Sequence, residues 1–145
     1  MKLKIATAFI FIWIGCICAI SFMEAWLKFR APGVTLPIGL GIGRLVFGLL
    51  NKIEWVLLCI TAFGIAETFS KSKKAIYTFS IAVIIVLLQT FWLLPALDSR
   101  AQNIIDGVAV SPSSHHFIFA IMEVIKVTVL FITGFNFLKH INNQS

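Results

Sequence analysis

The sequence predicts an all-α integral membrane protein, a four-helix bundle in an up-down-up-down arrangement with both termini in the cytoplasm. Hydrophobic residues make up 59% of the chain and charged residues only 12%, whereas soluble domains contain about a quarter charged residues. The apolar residues form four long runs, and each run exceeds the roughly 18 residues that a membrane-spanning helix needs. The predicted spans are Ile5–Leu27, Ile38–Ala66, Ala75–Leu97 and Ser114–Leu138. We therefore expect residues 1–145 to form a single membrane domain.

The positive charges are divided unequally between the two ends of the predicted bundle. The larger group comprises Lys2, Lys4, Lys71, Lys73, Lys74 and Lys139, and the smaller group comprises Lys28, Arg30, Arg44 and Arg100. Because an excess of lysine and arginine marks the cytoplasmic side, we expect both termini there and the bundle in an inner (plasma) membrane. The net charge of +6 comes mostly from these helix-end residues, so we expect a lipid bilayer and no nucleic acid as its surroundings.

The first span continues to Leu27 without a small-residue cleavage site, so we expect a retained helix rather than a signal peptide. Near its end, Glu24 and Lys28 are four residues apart and can pair on one helix face. Glu24 is therefore either half of an interfacial ion pair or part of a site.

The second span follows a turn rich in proline and glycine, and Pro37 suits the first turn of a helix. Gly39 and Gly43 are four residues apart, a spacing of small residues that lets another helix pack closely. This pattern fits tight packing inside the bundle. It fits equally well a homo-oligomer or a membrane partner bound through the Gly39/Gly43 face.

The third span carries the amide of Gln89 within its apolar run, and a polar outer loop is predicted from Ala101 to Pro112. Ser113 or Ser114 then provides a cap for the fourth span. The second and fourth spans each carry a polar stripe with spacings of seven and three residues, so each stripe occupies one helix face. The stripes consist of Arg44, Asn51 and Glu54 on the second span and of His116, Glu123 and Lys126 on the fourth.

Polar stripes in membrane helices face the interior of a bundle, because ionisable groups at that depth must pair or meet water. A rise of about 1.5 Å per residue allows the depth of each group to be compared. Equal depth predicts that Glu24 pairs with Arg44 and that Glu54 pairs with Lys126. Glu123 is left with three candidate neighbours, which are Asn51, Gln89 and His116.

Three classes of function fit this polar interior. The first is a non-enzymatic protein that binds or moves a small solute, ion or proton, with Glu123 as the titrating group. The second is a redox protein that binds haem, quinone or a metal through His115 or His116. The third is an accessory subunit whose stripe meets a partner helix. Buried ion pairs that only fix helix register are the structural alternative, and no nucleophile–base set or zinc quartet indicates an enzyme.

Two short segments suggest a repeated helix pair. Phe29-Arg30-Ala31 follows the first span, and the similar Ser99-Arg100-Ala101 follows the third. Because both pairs begin on the same side of the membrane, the repeat is predicted to be parallel rather than inverted.

The second half of the chain resembles a known family. Trp92-Leu93-x-Pro95 closes the third span, and His116 near the start of the fourth is followed seven residues later by the polar Glu123. These features are similar to those of the small four-helix membrane proteins related to transmembrane protein 205, a domain of unknown function. The resemblance implies a four-helix membrane bundle and no particular chemistry.

Overall fold

The structure is a computed structural model that describes residues 2–65 and 73–143. Four long helices account for most of these residues and no strand occurs in them. We label them α1 (Lys2–Arg30), α2 (Leu36–Ile65), α3 (Lys73–Ile105) and α4 (His115–Asn142). By length and composition all four can cross a membrane, as expected of an integral membrane protein. The predicted helical class is therefore confirmed.

Several helix ends differ from the predicted ones. α1 continues to Arg30 rather than ending at Leu27, and α3 continues to Ile105 rather than Leu97. The prediction stopped where the apolar run stopped, but the next turns of α3 remain helical and bury Ala101 against the bundle. The polar loop predicted from Ala101 accordingly begins at Asp106. The predicted end of the second span at Ala66 lies outside the described residues.

The connection between α1 and α2 is short. Residues 31–35 leave the helical conformation, and Gly33 has φ = 83°, a left-handed backbone conformation that favours glycine. α2 then begins at Leu36 with Pro37 as its second residue, as predicted.

α1 and α3 share an internal irregularity. α1 is π-helical over Cys18–Glu24, and α3 is π-helical over Gln89–Leu93. Aligning Phe29 with Ser99, as the similarity between the two segments suggests, places one π-helical stretch over the other. Each stretch lies between the middle and the C-terminal end of its helix. Within each helix, the segments before and after the stretch are therefore rotated out of α-helical phase.

Neighbouring helices run in opposite directions. Between α2 and α3, Arg44 forms a hydrogen bond with Asp98, and Asn51 forms one with Thr90. Residue numbers therefore increase along α2 where they decrease along α3, as in antiparallel helices. The same order holds between α3 and α4 and between α1 and α2, as Thr78–Thr133, Gln89–Glu123, Trp13–Glu54 and the approach of Ala6 to Gly64 indicate.

The bundle is apolar on the outside and unevenly packed on the inside. Leu45, Phe63 and Phe91 lie within helices and are 77%, 71% and 74% exposed, a pattern that suits lipid rather than water. Inside, the half nearer the chain termini holds a continuous apolar core that includes Ile10 and Phe137. The polar stripes run from the other half, which we call the outer half, to the middle of the bundle.

Candidate functional site

Three ionisable side chains lie together in the middle of the bundle. Glu54 on α2 is 2% exposed, and Glu123 and Lys126 on α4 are each 0% exposed. The ammonium of Lys126 lies 2.5 Å from Glu54 Oε1 and 2.9 Å from Glu123 Oε1. Because a lone charge in a membrane costs at least a few kcal/mol, these contacts are what allow the groups to be buried. The predicted pair of Glu54 with Lys126 is confirmed.

Two uncharged side chains complete this group. Gln89 on α3 donates from Nε2 to Glu123 Oε1 at 2.8 Å, and its Oε1 accepts from Lys126 Nζ at 2.6 Å. Trp13 on α1 donates from Nε1 to Glu54 Oε1 at 2.9 Å. Each helix therefore contributes to one site. We call Trp13, Glu54, Gln89, Glu123 and Lys126 the buried charge cluster.

Trp13 was missed by the sequence analysis, although a signal was present. A tryptophan in the middle of a span, rather than at the membrane interface, needs a hydrogen-bond acceptor for its indole N–H. Trp13 is 0% exposed, and the carboxylate of Glu54 is that acceptor.

Asn51 belongs to a second polar group, one helical turn nearer the outer end. Asn51 donates from Nδ2 to Thr90 Oγ1 at 2.9 Å, and Trp55 Nε1 donates to the same oxygen at 3.1 Å. Thr90 in turn donates to the carbonyl of Val86 at 2.7 Å. Of the three candidate neighbours of Glu123, Gln89 is the one whose hydrogen bond to it the described residues show.

A cavity of about 730 Å³ opens in the outer half of the bundle, and we call it the vestibule. Asn51 and Thr90 form its floor, and Phe47, Phe119 and Leu94 are among its mainly apolar wall residues. The floor lies about one helical turn from the buried charge cluster, because Glu54 follows Asn51 by three residues on α2.

Lys28 lines one wall of the vestibule, with its side chain 9% exposed. Its ammonium lies 3.3 Å from Glu24 Oε2, and 5.5 and 5.4 Å from the ring centroids of Phe29 and Phe47. The predicted pairing of Glu24 with Arg44 is therefore wrong, whereas the predicted pairing of Glu24 with Lys28, four residues along the same helix, is confirmed. The second oxygen of Glu24 is buried and has no hydrogen-bond partner among the described residues.

Arg44 also lines the vestibule, but its partner is on α3. Its Nε donates to Asp98 Oδ1 at 2.5 Å and its Nη2 donates to Asp98 Oδ2 at 2.9 Å, a two-pronged contact. Nη1 donates to Gln102 Oε1, and Gln102 Nε2 donates to Asp106 Oδ1 at 2.8 Å. The sequence analysis missed Asp98 and Gln102 because it ended the third span before them.

Gly39 and Gly43 face α1 inside the bundle. A Cβ atom on Gly39 would lie 2.7 Å from Phe29 Cδ1, and one on Gly43 would lie 2.9 Å from Lys28 Nζ. Of the predicted explanations for the small-residue spacing, these contacts show tight packing inside the bundle. A homo-oligomer or a membrane partner on this face stays a prediction.

The two histidines lie at the start of α4. His116 lines the vestibule, whereas Nδ1 of His115 forms a hydrogen bond with Ser113 Oγ. Ser113 Oγ also accepts from the backbone N–H of His115 at 3.2 Å, so Ser113 is the serine that supports the helix start. Within residues 2–65 and 73–143, no three His, Cys, Asp or Glu side chains are grouped to hold a metal ion.

Comparison of the chain with protein-family models, with curated proteins and with solved structures found no match. The resemblance to the proteins related to transmembrane protein 205 therefore stays a prediction.

Proposed function

We propose that this chain is a non-enzymatic, multi-pass protein of the inner (plasma) membrane that binds a small amphipathic solute in the vestibule. Both termini are cytoplasmic in this proposal, so the vestibule faces outward. One observation carries it, namely a cavity of about 730 Å³ whose floor lies next to a fully buried set of ionisable side chains. Cavities of this size, mainly apolar with a few convergent polar groups, are typical small-molecule sites.

The lining indicates the chemistry of the solute. Aromatic walls such as Phe47 and Phe119 suit an apolar body, and the Asn51–Thr90 floor suits a head group that forms hydrogen bonds. Lys28 and Arg44 bring positive charge to the walls, but Glu24 and Asp98 balance them. A neutral or zwitterionic head group therefore fits better than a multiply charged one.

The packing supports binding from one side rather than an open pore. Below the buried charge cluster, the apolar core includes Leu57, Val86, Leu130 and Phe137, each at most 5% exposed. Net movement across the membrane therefore needs a second conformation in which this core opens.

Thiol accessibility tests the proposal directly. In a variant whose Cys16, Cys18 and Cys59 are replaced by alanine, Leu94→Cys places a reporter in the vestibule wall. A membrane-impermeant thiol reagent should modify it from the outer side only. The small aromatic amine 1-aminoanthracene should slow this reaction by occupying the vestibule.

Matched variants serve as controls. Leu130→Cys, in the closed apolar core, should not react, and Val108→Cys, in the outer loop, should react without protection by 1-aminoanthracene. Gly48→Leu should slow the Leu94→Cys reaction because Gly48 lines the vestibule, whereas Gly41→Leu on the same helix should not. The proposal would be overturned if Leu94→Cys were unreactive while Val108→Cys reacted, or if 1-aminoanthracene did not slow the reaction of Leu94→Cys.

The redox alternative has one point of support, since His116 lines the vestibule. A stoichiometric visible absorption band in the purified protein, lost in His116→Ala, would replace solute binding with haem binding. Stoichiometric co-purification of a larger membrane protein, lost in a variant of the Gly39/Gly43 face, would instead favour an accessory subunit.

A further inference from the structure

The formal charges of the buried charge cluster do not balance. Glu54 and Glu123 are two carboxyl groups, and Lys126 is the one basic side chain that contacts them in the described structure. The helices packed around them add only the uncharged Gln89 from α3 and Trp13 from α1. With all three groups ionised, the cluster carries one uncompensated negative charge in the membrane interior, where such a charge is strongly unfavourable.

Lys126 is the positively charged member. Its Nζ donates to Gln89 Oε1 and Glu123 Oε1 at 2.6 and 2.9 Å, and it lies 2.5 Å from Glu54 Oε1 as an ion pair. An ammonium has three N–H bonds and no acceptor, which suits a position surrounded by three oxygens. The amide oxygen of Gln89 can only accept, which requires a proton on the lysine in that direction.

The two carboxyl groups differ in what they accept. Glu54 Oε1 accepts a hydrogen bond from Trp13 and forms an ion pair with Lys126. Glu123 Oε1 likewise accepts from Gln89 and Lys126, but Glu123 Oε2 is buried and has no hydrogen-bond partner in the described part of the chain. A proton on this oxygen displaces no hydrogen bond, and it neutralises the more deeply buried of the two carboxyl groups, since Glu123 is 0% and Glu54 2% exposed.

We propose that the buried charge cluster binds one exchangeable proton on Oε2 of Glu123. Hydronium transfers the proton to a lone pair of that oxygen and leaves water, and the cluster becomes neutral. Oε1 then acts as the carbonyl of the acid and keeps both hydrogen bonds. This inference deepens the proposed function and rests on it. It adds that a proton binds next to the vestibule in which the solute binds.

The route for exchange leads to the vestibule. Asn51 and Thr90 at the floor lie about one helical turn from Glu54 and next to Gln89. On that side the charged or titratable neighbours are the Lys28–Glu24 pair, the Arg44–Asp98 pair and His116. On the other side lies the closed apolar core.

Infrared difference spectroscopy of the protein in lipid discs, titrated over pH, can count protonated carboxyl groups by their C=O stretching band. Charge balance predicts one buried band in the natural protein and none in Glu123→Gln. It also predicts that Glu54→Gln abolishes the band although Glu123 is intact, because Glu123 and Lys126 then balance each other. Lys126→Met should double the band, since both carboxyl groups must then be neutral.

Asp106→Asn, at an exposed position, is the control and should leave the buried band unchanged. Circular dichroism establishes that each variant is folded before its band is scored, and the Glu54→Gln result decides the matter if Glu123→Gln does not fold. A band that survives in Glu54→Gln, or is missing from the natural protein, overturns the proposal. Loss of the band on adding Na⁺ would assign the site to a metal cation instead. Thiol accessibility of Leu94→Cys is independent of this readout, so the two proposals can fail separately.

Discussion

Lys126 is the side chain on which the polar interior depends most. It joins α4 to Glu54 on α2 and to Gln89 on α3, and it is fully buried while doing so. Removing one partner from such an arrangement leaves a buried group without compensation, which costs more than the contact itself contributes. The cluster therefore stabilises one relative position of the helices over others.

The indole of Trp13 offers a mild test of the cluster. Trp13→Phe keeps an aromatic ring but removes the donor to Glu54, and should lower the free energy of unfolding by about 1–2 kcal/mol. Unfolding in mixed micelles with increasing denaturing detergent would measure the change. Trp92→Phe, at a residue that is 50% exposed, should have little effect. Equal losses in both variants would contradict a special role for the Trp13 hydrogen bond.

Residue pairs were predicted well where one choice was available at a given depth. Glu54 and Lys126 were paired correctly because both lie deep and have opposite charge. Equal depth paired Glu24 with Arg44 wrongly, whereas the four-residue spacing of Glu24 and Lys28 identified the right partner. Lys28 lies one turn from Glu24 on the same helix, and Asp98 was counted as part of the helix end.

At the scale of the helices, α2 packs against the backbone of α1 at Gly64. A Cβ atom added to Gly64 would lie 2.6 Å from Ala6 Cβ and 3.1 Å from the Lys2 carbonyl oxygen. Backbone cannot move aside as a side chain can, so the two helices must separate to admit a methyl group.

Gly64→Ala should therefore destabilise the protein by roughly 1–3 kcal/mol, the usual cost of overpacking. Gly41→Ala is the matched control on the same helix, because open space surrounds a Cβ there. It should be neutral or stabilise by up to about 1 kcal/mol through helix propensity. The same detergent unfolding measurement applies, and a neutral Gly64→Ala would show that α1 is not held tightly against α2.

The number and approximate position of the helices followed from hydropathy, but their irregularities did not. An apolar run records the hydrocarbon thickness, so it ends before the polar turns with which α3 continues to Ile105. The π-helical stretches at Cys18–Glu24 and Gln89–Leu93 leave no mark in mean hydropathy, which does not register a change of helical phase. The vestibule between the outer halves of the helices was consequently not foreseen.

At the scale of the whole molecule, the bundle has one open half and one closed half. The vestibule occupies the outer half, and the apolar core occupies the half that carries both termini. The proposed orientation places the basic residues near Lys2, Lys73 and Lys139 in the cytoplasm, in agreement with the positive-inside rule.

Reporter fusions test this orientation. A green fluorescent protein joined after residue 143 should fluoresce, because it folds in the cytoplasm, and an alkaline phosphatase inserted at Val108 should be active, because that enzyme matures outside. Val108 lies in the loop between α3 and α4. The reverse pattern, a dark C-terminal fusion with an inactive phosphatase at Val108, would place the vestibule on the cytoplasmic side.

With the proposed orientation and the proposed proton site, the blind end of the vestibule would make proton binding sensitive to membrane voltage. Glu123 lies about 12 Å along α4 from His115, in a hydrocarbon layer about 30 Å thick. A proton that enters from the vestibule and stops at Glu123 therefore crosses roughly two-fifths of the electric field, worth about 1 kcal/mol per 100 mV. A potential negative inside would then raise the proton-binding constant about fivefold per 100 mV. Under the proposal, an energised membrane favours the protonated carboxyl group and a depolarised one favours the ionised form.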